Sequence, residues 1–148
     1  MSRAVQVPFE VTLLVRDTCL CLHLQRAARA LARRFDEALR PIGLTSGQYS
    51  MLMSLNRPEP PSIGSVAALL SMDRTTLTAA LKPLERRGLL AITVDPADKR
   101  NRRLQLTSAG RALLAKALPI WKRTHATLDG ELGWPSAARL RADLRGLS

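Results

Sequence analysis

"DRTTLTAALKPLERRGLL", residues 73–90, reads as one helix with a stop. Leu77, Leu81 and Leu84 recur at i, i+4 and i+7 and therefore share a face. Arg74, Thr75, Thr78, Ala79, Lys82 and Arg86 fall on the other side, with Thr76 at its margin. That second face is short, polar and positive, and it carries no carboxylate. Pro83 sits inside the helix, where its ring crowds the carbonyl of Ala79 and that hydrogen bond is lost. Ala79 is small, and the site lies past the first turns, so the bend spares the N-terminal end.

Working outward, Ser62 can cap a short helix, "IGSVAALL", and "SM" at 71–72 makes a tight turn before Asp73, the cap of the next helix. On the other side Gly88 suits the left-handed position after a helix, and Leu89 can pack back on Leu84. "LLAITV" then reads as a strand, "DPADKRNR" as a turn-rich tip, and "RLQLT" as the return strand with Leu104 and Leu106 inward. The centre is thus helix, turn, helix and a two-stranded hairpin with a basic tip.

The flanks are helical. Residues 11–39 keep one apolar stripe through Leu13, Leu20, Leu24, Ala27, Leu31, Phe35 and Leu39, and Pro41 and Gly43 end it. "TSGQ" at 45–48 is a capping box that opens a short helix. "NRPEPPS" at 56–62 is proline-rich and irregular. Thr107 caps a final long helix whose stripe runs through Leu113, Leu114, Ala117, Leu118, Ile120, Trp121 and Leu128, with Pro119 predicted to bend it. Gly133 and Pro135 break the chain before a last helix, Ser136 to Leu147, around Leu140 and Leu144. The expected fold is mainly α with a small β-hairpin wing, in a single domain over 1–148 with a helix-turn-helix lobe at 45–106.

Composition narrows the function. Lys and Arg number 23 against 12 Asp and Glu, for a net charge of +11, and the excess is clustered. Such a chain suits a polyanion such as nucleic acid or an anionic membrane surface. Phe9, Phe35, Tyr49, Trp121 and Trp134 are the aromatic residues, and they make no basic–aromatic platform for stacking single-stranded bases. No nucleotide-binding loop, nucleophile elbow or carboxylate pair stands out, so no enzyme is expected and no cofactor is called for. Cys19 and Cys21, with only His23 and His125 besides, cannot assemble a structural metal site. The apolar run "VTLLV" at 11–15 is too short to span a membrane and lacks the layout of a signal peptide, so a reduced cytoplasmic protein is expected.

A helix-turn-helix places its second helix in the major groove of duplex DNA, with its N-terminal part on base edges. Thr75, Thr78 and Ala79 supply the hydroxyls and methyls for that work, Arg74 can read guanine or hold phosphate, and Lys82 and Arg86 reach phosphates further along. The tip carries Lys99, Arg100, Arg102 and Arg103 against Asp95 and Asp98, and a basic hairpin there can enter the neighbouring minor groove. Either feature alone is an ordinary solvated surface; in this order they point to DNA.

At this point the chain resembles the winged helix-turn-helix core of the MarR family of bacterial regulators. The likeness rests on "DRTTLT", "LERRGLL", "DPADKR" and "LTSAG" within residues 62–114, and the order of flanking helices extends it over nearly the whole chain. It implies a homodimer held by flanking helices at 11–40 and 107–148, bound to a pseudo-palindromic operator. It also implies that Arg100 is the wing arginine of the minor groove and Asp98 the acid that orients it. Ala79 stands where the family often has an arginine. Family members usually bind a small, often aromatic, anionic ligand and are often repressors released by it.

Arg16, Cys19, His23 and Arg26, at i, i+3, i+7 and i+10 of the first helix, are the expected carboxylate-binding stripe, with Tyr49, Met51 and Met53 walling the ring. A solvated or dimer-contact stripe is the plain alternative. Redox sensing by Cys19 or Cys21 is another. On a continuous helix those two thiols lie roughly 200° apart and cannot readily bridge. A basic helical module without sequence-specific DNA binding is the alternative from a different class.

Overall fold

The computed structural model describes residues 6–148. Its elements are α1 (Phe9–Thr18), α2 (Leu20–Leu39), a short 3₁₀ turn (Arg40–Ile42), α3 (Ser46–Ser54), α4 (Ile63–Leu70), α5 (Arg74–Arg86), β1 (Leu90–Val94), β2 (Arg102–Leu106), α6 (Ser108–Leu132) and α7 (Ser136–Arg145). The fold is mostly helical with one antiparallel hairpin, as expected. No helix among the described residues is long and apolar enough to cross a membrane.

The helix boundaries have local chemical causes. Asp73 Oδ1 accepts the Thr76 N–H at 2.8 Å and caps α5. Thr45 and Gln48 complete the capping box of α3, and Ser62 and Thr107 cap α4 and α6. Ser71 closes the turn between α4 and α5 in the left-handed region, and Gly88 does the same after α5. Leu77, Leu81 and Leu84 are fully buried and bind α5 to the lobe. Burial of such a leucine contributes about 1.5–3 kcal/mol.

The core is continuous from Leu39 and Leu52 through Val66 and the α5 leucines to Leu104 and Leu114. The hairpin pairs Leu90 with Leu106 and Val94 with Arg102 at its two ends. Leu104 N–H also donates to Pro61 O at 2.9 Å, so the proline-rich segment lies along β2. Arg87 Nη1 donates to Gly43 O at 2.8 Å and fastens the end of α5 to the corner between α2 and α3. Arg34 forms a two-bonded ion pair with Glu131 at 2.6 Å and ties α2 to α6.

Two expectations are corrected. The first helix is not continuous over 11–39: Cys19 is extended (φ −70, ψ 106) and separates α1 from α2. Two side chains there take up helix-end roles. Thr18 Oγ1 bonds back to Leu14 O at 2.7 Å, and Cys19 Sγ accepts the Leu22 N–H at 3.4 Å, so the thiol caps α2. Second, the stripe of α6 is largely turned inward: Leu113 and Trp121 both pack against the chain's own core and are only partly exposed. Leu140 and Leu144 remain exposed, as do Phe9, Val11, Leu14 and Val15 of α1, a helix with no buried residue.

Candidate nucleic-acid interface and effector cavity

The outer face of α5 stands open. Arg74, Thr75, Thr78, Ala79 and Lys82 line one shallow concavity on it. Arg86 is exposed one turn beyond. The small side chains at 75, 78 and 79 let a surface approach the helix backbone, and the long cations at 74 and 82 rim the depression. The threonines differ in what they offer. Thr78 Oγ1 donates to Arg74 O at 2.7 Å, so its lone pairs and methyl face outward but its proton does not. Thr76 Oγ1, at the margin of this face, donates to Asp73 Oδ2 at 2.5 Å. Those bonds, with the Thr76 N–H, hold the Asp73 carboxyl below the usual carboxylate range. Lys82 Nζ lies 3.4 Å from Glu85 Oε2, so this cation has an acidic neighbour on its own helix. The pair is exposed and weak enough for a phosphate to displace.

The wing tip is organised by its acids. Asp98 Oδ1 accepts the Arg100 N–H at 3.0 Å and Oδ2 accepts Asn101 Nδ2 at 3.3 Å. Asp98 therefore shapes the turn through the backbone, in place of the expected contact with the Arg100 guanidinium. Lys99, Arg100 and Arg102 are exposed, and Arg102 donates to Lys99 O at 3.1 Å. Arg103 is turned inward: Nε donates to Asp95 Oδ2 at 2.9 Å and Nη1 to Pro60 O at 3.2 Å. It is a fastener between wing and lobe, not a tip cation. Asp95 is buried, and the Ala97 N–H followed by the Arg103 guanidinium keeps its carboxyl below the usual range despite burial.

The expected carboxylate-binding residues are not brought together. Arg16 sits on α1 and pairs with Asp17 at 2.6 Å, while the break at Cys19 removes the shared face with His23 and Arg26. His23 Nδ1 is 2.7 Å from Cys19 O, and Arg26 lies among Arg29 and Arg33 on exposed helix surface. Met53 opens on a cleft with Asn56, Arg111 and Leu118, and Met51 is buried in the core.

Tyr49 instead walls a cavity of about 140 Å³ between α2, α3 and α6, together with Phe35, Leu39, Ser46, Ser50, Trp121 and His125. The His125 ring lies 4.7 Å from Phe35 and 4.3 Å from Trp121, and Tyr49 stacks on Trp121 at 6.1 Å. His125 Nδ1 is buried without a hydrogen-bond partner. Burial, aided by repulsion from Arg141, pushes the imidazole below its ordinary value, so the ring is neutral at pH 7. His125 enters the site from α6, where the sequence gives it no partner other than Trp121. Its spacing of i+4 from Trp121 was the available signal.

Comparison with known proteins now bears on this arrangement. The MarR family model matches residues 44–101. The transcriptional regulator MosR of M. tuberculosis, solved in complex with DNA, is 38% identical, with 87% of this chain and 92% of that one covered at a TM-score of 0.79. The chain belongs to the MarR family. The regulator TtmR of Methylorubrum extorquens is 35% identical over 76% of this chain, and the transcriptional repressor CouR, bound to a 23-mer DNA duplex, is 28% identical over 97% of this chain and 99% of its own at a TM-score of 0.80. The chain spans 60% of the length of TtmR and 54% of that of a second curated relative, BadR of Rhodopseudomonas palustris. These MarR-type relatives are transcriptional regulators, not enzymes.

Within this MarR-family chain Ala79 is exposed at the centre of the α5 depression. It has a methyl group to offer there and no cation, so the charge around the depression comes from its two ends, Arg74 and Lys82.

Proposed function

We propose that the chain is a homodimeric transcriptional repressor that binds a pseudo-palindromic duplex operator in the cytoplasm and is released by a small aromatic carboxylate. The observation that carries the DNA reading is the open α5 face of Thr75, Thr78 and Ala79 with cations at its ends, beside a wing whose Lys99, Arg100 and Arg102 all face solvent. Thr75 and Thr78 read base edges, Arg86 and Lys82 hold phosphates, and Arg100 enters the minor groove. Exposed apolar side chains of α1 and α7 support the homodimer, since Phe9 is 68% and Leu14 59% exposed. A two-fold pair of α5 helices would then meet successive major grooves about 34–36 Å apart. Selection of genomic fragments with the purified chain tests this reading: enrichment of one palindromic sequence supports it, and uniform recovery would sink it.

The effector reading moves from the first helix to the cavity. An apolar cavity of about 150 Å³ holds benzene; the one here is of similar size, opens to solvent on one side and carries Phe35, Tyr49 and Trp121 on its walls. The His125 ring and the Ser46 and Ser50 side chains line it and supply polar groups for a carboxylate on such a ring. CouR has also been solved bound to p-coumaroyl-CoA, a ligand with an aromatic ring. Benzoate serves as the probe: it should dissociate the selected duplex from the wild type and fail with His125→Ala.

A thiol switch is the second reading, favoured by the break at Cys19. Cys19 is the extended cap of α2 and not one of its helical residues, so a helical turn does not fix the direction of its thiol relative to Cys21; both cysteines are free. A peroxide would oxidise one thiol to a sulfenic acid with loss of an alcohol or water. The second thiol would then displace water to give the disulfide. Dissociation by cumene hydroperoxide that is lost in Cys19→Ser, with no response to benzoate, would replace the carboxylate reading.

A further inference from the structure

The Arg74 guanidinium reaches over Gly64, in the first turn of α4, with its Nη2 end nearest. A β-carbon built on Gly64 would stand 2.8 Å from Arg74 Nη2, 3.3 Å from Cζ and 3.6 Å from Nε. The arginine, first residue of α5, is thus folded back across the neighbouring helix, and the missing side chain at 64 is what leaves it room. Gly64 has no backbone need of its own, since only Gly43, Gly88 and Gly133 among the described glycines take positive φ. By helix propensity alone an alanine would suit this position better.

We infer that Gly64 is a positioning residue that holds Arg74 for a contact with a DNA phosphate beside the recognition helix. The inference rests on the DNA reading above. In a helix-turn-helix the first helix crosses the phosphate backbone while the second reads bases. A guanidinium over the first turn of α4, at the rim of the depression that holds Thr75 and Thr78, is therefore offered to the phosphate backbone beside the base edges. Arg74 makes no ion pair among the described residues, so its donors are available to phosphate oxygens.

Fluorescence anisotropy over a salt series tests this, with the full chain, a duplex recovered by genomic selection and a random-sequence duplex. Arg74→Ala should weaken both duplexes alike, roughly tenfold near 50 mM salt, and lower the salt slope by about one. Gly64→Ala should do the same through Arg74, while its thermal midpoint stays at the wild-type value or rises, because only the far end of a flexible side chain must move. The double variant should bind like either single one. Additive losses, or Gly64→Ala binding like wild type while Arg74→Ala does not, would overturn the role of Gly64. A loss by Arg74→Ala confined to the selected duplex would overturn the phosphate assignment. If neither variant changes binding the inference fails; Thr75→Ala then separates the two levels, since its loss of specificity keeps the DNA reading and its silence removes that too.

Discussion

A β-carbon on Gly110 would stand 2.0 Å from the Leu89 carbonyl oxygen and 3.2 Å from Leu106 Cδ2. The start of α6 therefore crosses the root of the hairpin at a separation that glycine alone permits. Both partners are backbone or core, so neither can yield cheaply. Gly110→Ala should destabilise the chain by about 3 kcal/mol. Urea unfolding checks this, and an unchanged midpoint would mean that α6 can slide without cost.

Base reading should divide between the two threonines by the atoms each presents. Thr75→Ala and Thr78→Ala should each cost about 1–3 kcal/mol on the selected duplex and relax preference at one position of each half-site. Thr78→Val keeps the shape and methyls but removes the lone pairs. It should retain binding if Thr78 packs on a thymine methyl, and lose it if the hydroxyl oxygen accepts from a base.

Wing binding should be separable from wing docking. Arg100→Ala should lower the salt slope by about one and remove preference for A·T-rich flanks, with no change in unfolding. Arg103→Ala should act the other way round. It leaves buried Asp95 without its guanidinium and frees β2 from Pro60 O, so the unfolding midpoint should drop. Asp95 also sets a pH sign. Its folded value is depressed, so its contribution is present above the unfolded carboxylate range and lost as pH falls through the folded value.

His125 predicts a second pH dependence near neutrality. Its folded value lies below the ordinary 6.5, so the unfolded chain takes up a proton first as the solution is acidified. Stability should fall as pH drops from about 6.5 towards the folded value, and level off below it. His125→Phe keeps an aromatic ring against Phe35 and Trp121 and should abolish this part of the slope. Denaturant midpoints at a series of pH values decide it; parallel curves for both proteins would clear His125 of any part.

The lobe was legible because its elements announce themselves locally. The α5 face, its Asp73 cap, the Gly88 stop and the alternation of Leu104 and Leu106 all lie within a few residues of what they specify. The break at Cys19 was hidden because the apolar stripe continues across it, from Leu13 to Leu20 and Leu24. One non-helical residue does not disturb a pattern of that length. Arg102 and Arg103 look alike in sequence, yet one faces solvent and the other is fastened to Asp95 and Pro60. That choice depends on a segment 43 residues away, which only the packed chain brings alongside. The cavity was missed for the same reason, since α2, α3 and α6 each give it a fragment.

The bond from Arg87 to the Gly43 carbonyl acts like a tow-line between two machines. Gly43 lies in the corner flanked by Leu39 and Ser46, both of which wall the aromatic cavity. Anything that pries α2 from α3 would drag that corner, and with it the trailing end of α5. A thirteen-residue helix is roughly 20 Å long, so a pull of about 1 Å at one end tilts it by about 3°. On the effector reading proposed above, Arg87→Ala should leave duplex binding intact and blunt its release by benzoate.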